Sequence, residues 1–195
     1  MFASLLEKMS HIDALVVLWA EKIRTPGLFE FFKFTTYAGT IAVTAAIAVI
    51  TSIVLIRQHK RIYVLYLWLA YVGAELTTWA IKYMVNRPRP DIIAGVEEFN
   101  PSFPSGHATA VTSIALYIAY VLVKSSSNIK TRISYIIGAF SVITFVSFSR
   151  IYLNLHYLSD VVFGFLIGLL WVLISCYFCE ISLSKTQSER RGRNR

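Results

Sequence analysis

Charged residues are scarce in this chain. Aspartate, glutamate, lysine and arginine make up 15% of its 195 residues, against 56% for hydrophobic residues. Soluble domains contain about 25% charged and about 45–50% apolar residues, so this composition argues against an ordinary soluble enzyme and excludes a disordered chain. Two cysteines are too few for a disulfide scaffold. The net charge of +8 would suggest a nucleic-acid ligand on a soluble protein. On a membrane protein it is typical of cytoplasmic lysines and arginines, so we predict no nucleic-acid partner.

The apolar residues are gathered into long runs with little or no charge. Each run is close to the length that an α-helix needs to cross about 30 Å of hydrocarbon. The five runs are residues 40–56, 62–84, 108–123, 133–149 and 161–179, of which the third begins earlier, at 105–107. The sequence therefore predicts an all-α, polytopic membrane helix bundle with five transmembrane helices.

The N-terminal segment, residues 1–38, is apolar at helical spacing but is interrupted by charges. Asp13 lies within its apolar stripe, and Glu21 and Lys22 follow near the end of the stripe. This pattern predicts an amphipathic helix lying at the membrane interface. Thr25 and Pro26 form the capping signal of a second, short interfacial helix. The alternative is that this segment forms a sixth, short span.

Basic residues mark one side of the predicted bundle. They are concentrated in residues 57–61, 124–132 and 185–195, which all fall on the same side if every run crosses the membrane. The positive-inside rule places that side in the cytoplasm. We therefore predict one membrane-embedded domain over residues 1–184, followed by a disordered, basic cytoplasmic tail over residues 185–195.

The opposite, outward ends of the spans carry ionisable and small polar residues. They are Lys82 and Arg89 after the second span, Ser105, Gly106 and His107 at the start of the third, Arg150 at the end of the fourth, and His156 and Asp160 at the start of the fifth. Ionisable groups at membrane depth are costly and usually mark a functional site. Cations and imidazoles that meet at one face suit an anion undergoing acid–base chemistry, above all phosphate.

The cationic part of this set suits the binding of a phosphoryl group. Lys82, Arg89 and Arg150 supply three positive charges for its oxygens. Ser105 and Gly106 lie at a helix start, where free N–H groups and the helix dipole favour phosphate. These cations take the place of magnesium, so we predict no metal ion and no cofactor.

The remaining residues suit nucleophilic and acid–base catalysis. His156 and Asp160 are four residues apart and therefore share a helix face. Asp160 can accept a proton from one ring nitrogen of His156 and leave the other nitrogen to attack phosphorus. His107, from another helix, can protonate the leaving oxygen.

The spacing of these residues forms three motifs. They are K-x6-R-P from Lys82 to Pro90, P-S-G-H from Pro104 to His107, and S-R-x5-H-x3-D from Ser149 to Asp160. The motifs resemble those of the type 2 phosphatidic acid phosphatase (PAP2) superfamily, which includes lipid phosphatases, glucose-6-phosphatase and vanadium haloperoxidases. The resemblance implies a PAP2-like core in which His156 forms a phosphohistidine that water then hydrolyses.

Together with the long apolar bundle, which suits a lipid substrate, the resemblance implies a lipid phosphatase of the bacterial cytoplasmic membrane. The positive-inside rule then predicts that its site faces the periplasm or the outside. Its substrate would be an anionic lipid: lipid A 1-phosphate, undecaprenyl pyrophosphate, phosphatidylglycerol phosphate or phosphatidate. The small size and five-span layout are similar to those of lipid A 1-phosphatases. A lipid phosphotransferase and a non-catalytic lipid-binding or transport protein are the alternatives. The sequence leaves open the oligomeric state and the roles of Glu75 and Arg87.

Overall fold

A computed structural model of the chain describes residues 2–90, 98 and 100–193. Their regular structure is helical. The helices are α1 (Phe2–Lys22), α2 (Pro26–Thr36), α3 (Ile41–Arg57), α4 (Arg61–Val85), α5 (Gly106–Ser125), α6 (Ile129–Tyr152) and α7 (Leu158–Arg193), and a 3-10 turn (Tyr37–Gly39) joins α2 to α3. The predicted all-α bundle is confirmed.

Polar side chains start several of these helices. Thr25 accepts a hydrogen bond from the amide of Leu28 and so begins α2 where the sequence predicted a cap. Thr40, Ser105 and Asn128 cap α3, α5 and α6 in the same way. Each cap satisfies an amide that has no partner within its own helix.

Four of the described helices are long and apolar enough to cross a membrane: α4, α5, α6 and the Leu158–Thr186 part of α7. They contain the predicted spans 62–84, 108–123, 133–149 and 161–179 completely. The predicted first span corresponds to α3, whose 17 residues reach only about 25 Å. α3 becomes a fifth candidate span together with Pro26–Gly39, from which it is bent by 49°. α1 is not among the candidates.

α5 is the central helix of the bundle and packs against α3, α4, α6 and α7. Two glycines of α7 allow its close contact with α5. A Cβ atom at Gly164 would lie 2.6 Å from the carbonyl oxygen of Ser105, and one at Gly168 would lie 2.9 Å from that of Thr109. Small residues four apart are a common means of close helix packing in membranes. This contact brings the start of α7 against the start of α5, where the Ser105 amide donates to the carbonyl of Asp160 over 3.0 Å.

α1 packs against α6 and α7. The Trp19 ring meets the Phe148 ring of α6 edge-on, and Ala20 is buried beside Ile151. The other side of α1 leaves apolar side chains exposed, among them Leu15 and Leu18. An exposed apolar face suits the predicted interfacial position.

The structure differs from the prediction at the C-terminus. The sequence predicted a disordered tail over residues 185–195, but α7 continues as a helix to Arg193. No proline or glycine lies between Gly168 and Gly192, so nothing interrupts the helical hydrogen bonds where the apolar stretch ends. Residues 194–195 lie outside the described part of the chain.

Candidate active site

All eight predicted site residues come from one end of the bundle, which we call the site end. It consists of the C-terminal ends of α4 and α6, the N-terminal ends of α5 and α7, and the segments that join them. The basic segments 57–61 and 124–132 lie at the other end of the same helices. The motif residues are thus brought together by the up-and-down course of the chain.

A tight turn after α6 places His156 beside Arg150. The amides of Leu155 and His156 both donate to the carbonyl oxygen of Arg150, over 3.0 and 3.2 Å. Asn154 makes this turn possible with a φ of 53°, in the left-handed region that asparagine adopts more readily than most residues. The His156 side chain is buried.

The neighbours of His156 determine which ring nitrogen carries its proton. Nε2 lies 3.2 Å from Nη1 of Arg89. A guanidinium has only donors, so Nε2 must be the acceptor and the proton of the neutral ring must be on Nδ1. Burial, and then the charges of Arg150, Arg89 and Lys82, lower the pKa of His156 well below its usual value. The ring is therefore neutral at physiological pH, and the unprotonated Nε2 directs its electron pair at Arg89.

Asp160 lies on the other side of the His156 ring. Its Oδ2 accepts a hydrogen bond from the Tyr157 amide at 2.9 Å and lies 3.5 Å from Nδ1 of His156. This distance is longer than a hydrogen bond, but it places a carboxylate opposite the Nδ1 proton. The predicted pair is thus adjacent, although Nδ1 of His156 has no hydrogen-bond partner among the described residues.

Glu98 joins the two arginines that the sequence predicted for phosphate binding. Its Oε2 lies 2.7 Å from Nη2 of Arg89, and its Oε1 is paired with Nη2 of Arg150. Burial alone would raise the pKa of Glu98, but the charges of Arg150 and Arg89 lower it to about 2. A carboxylate that places one oxygen on each guanidinium makes the contacts expected of a phosphate group.

The other predicted phosphate ligands surround this position. Lys82 donates to the carbonyl oxygen of Pro101 over 2.5 Å and interacts electrostatically with Arg89, Glu98 and Arg150. Ser105 is buried and caps α5, while the space beside Gly106 is open to a Cβ atom. The Ser105 amide donates to Asp160 and the Ala108 amide to the Ser105 hydroxyl, so the amides of Gly106 and His107 are the ones at this helix start that can meet an anion.

The predicted acid, His107, follows in the first turn of α5. Its side chain packs against Gly39 so closely that a Cβ atom there would lie 3.0 Å from Cδ2 of His107. It also interacts electrostatically with Arg150 and Glu98. His107 thus belongs to the same charged cluster as the arginines.

Several residues of the site were not predicted. Thr36, the last residue of α2, accepts a hydrogen bond from Nη1 of Arg150 at 2.8 Å, and Glu98 and Asp13 join the cluster from other segments. No motif spacing marks them. The clearest sequence signal was Asp13, a lone acid within an apolar stripe.

The structure also shows the surroundings of Arg87 and Glu75, the two residues whose roles the sequence left open. The guanidinium of Arg87 contacts Asp160, Ser159 and Asp13 and stacks 4.0 Å from the centre of the Tyr157 ring. It is therefore bound by the protein and is not a freely solvated charge. Oε1 of Glu75 is buried and has no hydrogen-bond partner among the described residues.

No group of three His, Cys, Asp or Glu residues within the described ranges is arranged to hold a metal ion. The side chains of Lys82, Arg89 and Arg150 supply three positive charges to the site.

Comparison with known families agrees with these motifs. Residues 63–181 match the PAP2 superfamily. The chain belongs to the PAP2 superfamily. The match contains all three motifs, so the recognition made from the sequence is confirmed.

Individual PAP2 proteins resemble most of the chain. Phosphatidylglycerophosphatase B of Bacillus subtilis (strain 168) is 33% identical over 161 residues, which are 81% of this chain and 78% of the relative. The crystal structure of a transmembrane PAP2-type phosphatidylglycerolphosphate phosphatase from Bacillus subtilis superposes with a TM-score of 0.82 at 30% identity, covering 88% of this chain and 86% of that one. The structure of Aquifex aeolicus LpxE gives a TM-score of 0.68 at 23% identity over 84% and 94% of the chains, which supports the fold alone.

These similarities establish the general activity of the chain. It is an integral membrane protein and a PAP2-type lipid phosphatase. The predicted hydrolase class is confirmed.

Proposed function

We propose that this chain hydrolyses the terminal phosphate monoester of phosphatidylglycerol phosphate, through a phosphohistidine on His156, at the outer face of a bacterial cytoplasmic membrane. The observation that carries the proposal is the setting of His156. Its unprotonated Nε2 faces Arg89, and the carboxylate of Asp160 lies 3.5 Å behind Nδ1. A neutral, oriented imidazole beside a cluster of cations is the arrangement that attack on a phosphate requires.

Substrate binding begins at the two arginines. The phosphoryl oxygens take the place of the Glu98 carboxylate on Arg89 and Arg150, with Lys82 and the first amides of α5 as further contacts. These groups offset the negative charge that would otherwise repel a nucleophile. Binding also fixes phosphorus in front of Nε2, so the attack becomes a reaction between oriented groups.

In the first chemical step, the electron pair of Nε2 forms a bond to phosphorus while the bond from phosphorus to the lipid oxygen breaks. That oxygen leaves with a proton from His107. The ring of His156 keeps its Nδ1 proton and becomes positively charged, and Asp160 offsets that charge.

In the second step, water replaces the lipid alcohol. His107, now neutral, accepts a proton from the water as its oxygen attacks phosphorus. The bond between phosphorus and Nε2 breaks, inorganic phosphate leaves, and both histidines return to their starting protonation states.

The choice of phosphatidylglycerol phosphate is supported by the relatives and by the shape of the site. The curated relative and the solved structure that are named as phosphatidylglycerophosphate phosphatases match at 33% and 30% identity, whereas the LpxE structure supports only the fold. An open cleft of about 460 Å³ lies beside Arg89 and Glu98, with Asn86 and Asn100 in its lining. Amide side chains suit the hydroxyl and phosphodiester oxygens of a glycerol headgroup.

A substrate panel tests this choice. We expect purified protein in mixed micelles to release phosphate from phosphatidylglycerol phosphate with a higher kcat/KM than from phosphatidate, undecaprenyl pyrophosphate or lipid A 1-phosphate. A higher value for any of the other three would transfer the assignment to that lipid. Product analysis that finds a second phosphorylated lipid instead of free phosphate would favour a phosphotransferase.

The orientation of the protein decides which leaflet the site can reach. Asn100, at the site end, and Ser127, between α5 and α6, are both exposed. In a variant without Cys176 and Cys179, we expect an impermeant thiol reagent to label Asn100→Cys and to miss Ser127→Cys when it is added outside cells whose outer membrane is open. The basic segment between α5 and α6 requires this result.

Lysed cells provide the control, because both cysteines should then react. The reverse pattern in intact cells would invert the topology and place the site in the cytoplasm. Labelling of both positions would show that a helix between them does not cross the membrane.

The cations of the site also lead to an expectation about metal ions. Because Lys82, Arg89 and Arg150 bind the phosphoryl oxygens, activity should stay within about twofold when a chelator is present in excess. Orthovanadate should inhibit competitively, because five-coordinate vanadate resembles phosphorus under attack by Nε2. Loss of activity in chelator and its recovery on addition of magnesium would contradict the proposed phosphate site.

A further inference from the structure

A second carboxylate reaches the start of α7 from the N-terminal helix. Asp13 of α1 is 2% exposed. Its Oδ1 accepts from the amide of Ser159 at 2.9 Å, and its Oδ2 accepts from the hydroxyl of Ser159 at 2.5 Å. Its Oδ2 also lies 2.8 Å from Nη2 of Arg87.

Arg87 connects this carboxylate to the site. Its Nη1 lies 2.7 Å from Oδ1 of Asp160 and donates to the hydroxyl of Ser159 at 2.7 Å. Oδ2 of Asp160 is the oxygen that faces His156. Ion pairs therefore connect Asp13 through Arg87 to Asp160, whose Oδ2 lies 3.5 Å from Nδ1 of His156.

We infer that Asp13 and Arg87 are positioning residues for the reaction, acting through Asp160 on His156. Arg87 holds Oδ1 of Asp160 and thereby directs Oδ2 of Asp160 towards Nδ1 of His156. Asp13 holds Arg87 in place and shares its positive charge. The inference rests on the proposed function, because it assumes that His156 is the nucleophile.

The net charge of Asp13, Arg87 and Asp160 explains why Asp13 is needed in addition to Asp160. A pair consisting of Arg87 and Asp160 alone would have no net charge, and its field at His156 would be weak. With Asp13 the group carries one net negative charge, which faces the ring as it becomes positively charged during attack. Charges that interact in a buried site are screened less than charges in water. Removing the charge of Asp13 should therefore change the electrostatic potential at His156.

A purely structural role for Asp13 is the alternative. Asp13 binds the Ser159 amide in the first turn of α7, and such a contact could serve only to attach α1 to the bundle. Glu21 offers a matched comparison on the same helix, since its Oε1 accepts from Nδ2 of Asn154 at 2.9 Å. Glu21 attaches α1 to the segment before His156, and within the described part of the chain it forms no hydrogen bond or ion pair with Arg87 or Asp160.

The test compares these two carboxylates in the full-length protein. Asp13→Asn keeps the size and the acceptor for the Ser159 amide but removes the charge. We expect it to lower kcat by about tenfold and to leave KM within about twofold, because the substrate contacts are unchanged. Glu21→Gln should keep kcat within about twofold. The melting temperatures of both variants in detergent should match.

A double-mutant cycle separates the two roles. If Asp13 acts through Arg87, the double variant Asp13→Asn/Arg87→Ala should be no slower than Arg87→Ala alone, within about twofold. Independent, additive losses would show that Asp13 acts elsewhere and would overturn the inference. An unchanged kcat in Asp13→Asn would do the same, as would an equal loss in Glu21→Gln.

Arg87→Lys provides a test that does not depend on the folding of an Asp13 variant. A single ammonium group cannot span both carboxylates as the planar guanidinium does, so kcat should fall with little change in KM. An unchanged kcat would overturn the inference. Phosphoenzyme labelling of the wild type distinguishes this failure from failure of the proposed function. If His156 is labelled and these variants remain fully active, the positioning role alone is wrong.

Discussion

His156→Ala is expected to lower kcat by roughly 10⁴-fold or more and to abolish the phosphoenzyme. The substitution removes Nε2, the protein atom that bonds to phosphorus in the proposed mechanism. Neighbouring water cannot replace it, because water lacks the fixed position between Arg89 and Asp160. Phosphate release from a lipid substrate should be measured for the wild type and the variant, and a thermal melt of each in detergent should show that both are folded.

An exposed histidine provides the matched control for this variant. His11 lies on the exposed side of α1, so His11→Ala should keep full activity. Loss of activity in both variants would indicate general damage. Substantial turnover in a folded His156→Ala protein would show that another group attacks phosphorus.

His107→Ala is expected to have the second largest effect, and its size should depend on the leaving group. A lipid alkoxide is a poor leaving group without a proton, so turnover of the lipid should fall by roughly 10²–10⁴-fold. The nitrophenolate of a nitrophenyl phosphate leaves without protonation, so the phosphoenzyme should still form from this substrate, with a loss below about tenfold in that step.

Single-turnover measurements with the two substrates separate these effects. The burst of nitrophenol reports the first step, and the later steady rate reports hydrolysis of the phosphoenzyme, in which His107 acts as the base. If the first step, formation of the phosphoenzyme, slowed equally for the lipid and for the nitrophenyl phosphate, the role of His107 as the acid would be contradicted.

The sequence allowed prediction of much of the helix bundle and most of the site. Long uncharged runs need backbone hydrogen bonds within the run when they lie in lipid, so they had to be helices. The course of these helices then brought Lys82, His107, Arg150 and His156 to one end of the bundle. The motif spacing identified the chemistry because it fixes which residues share a helix end or face.

The remaining site residues depend on contacts that no local pattern records. Asp13 meets Ser159 across 146 positions of sequence, and Thr36 meets Arg150 across 114. Glu98 reaches the two arginines from the segment between α4 and α5. Each contact depends on how a short helix or connecting segment folds back over the bundle. The helical C-terminus was missed because its polar composition resembles that of a disordered tail.

Rapid-quench labelling tests the central claim most directly. Purified protein is mixed with phosphatidylglycerol phosphate that carries ³²P in its terminal phosphate, and the reaction is stopped in alkali within the first turnover. We predict one labelled peptide with the label on His156, stable in alkali and lost in acid, as expected for a phosphoramidate bond. No label during active turnover, or label on another residue such as Asp160, would contradict a phosphohistidine on His156.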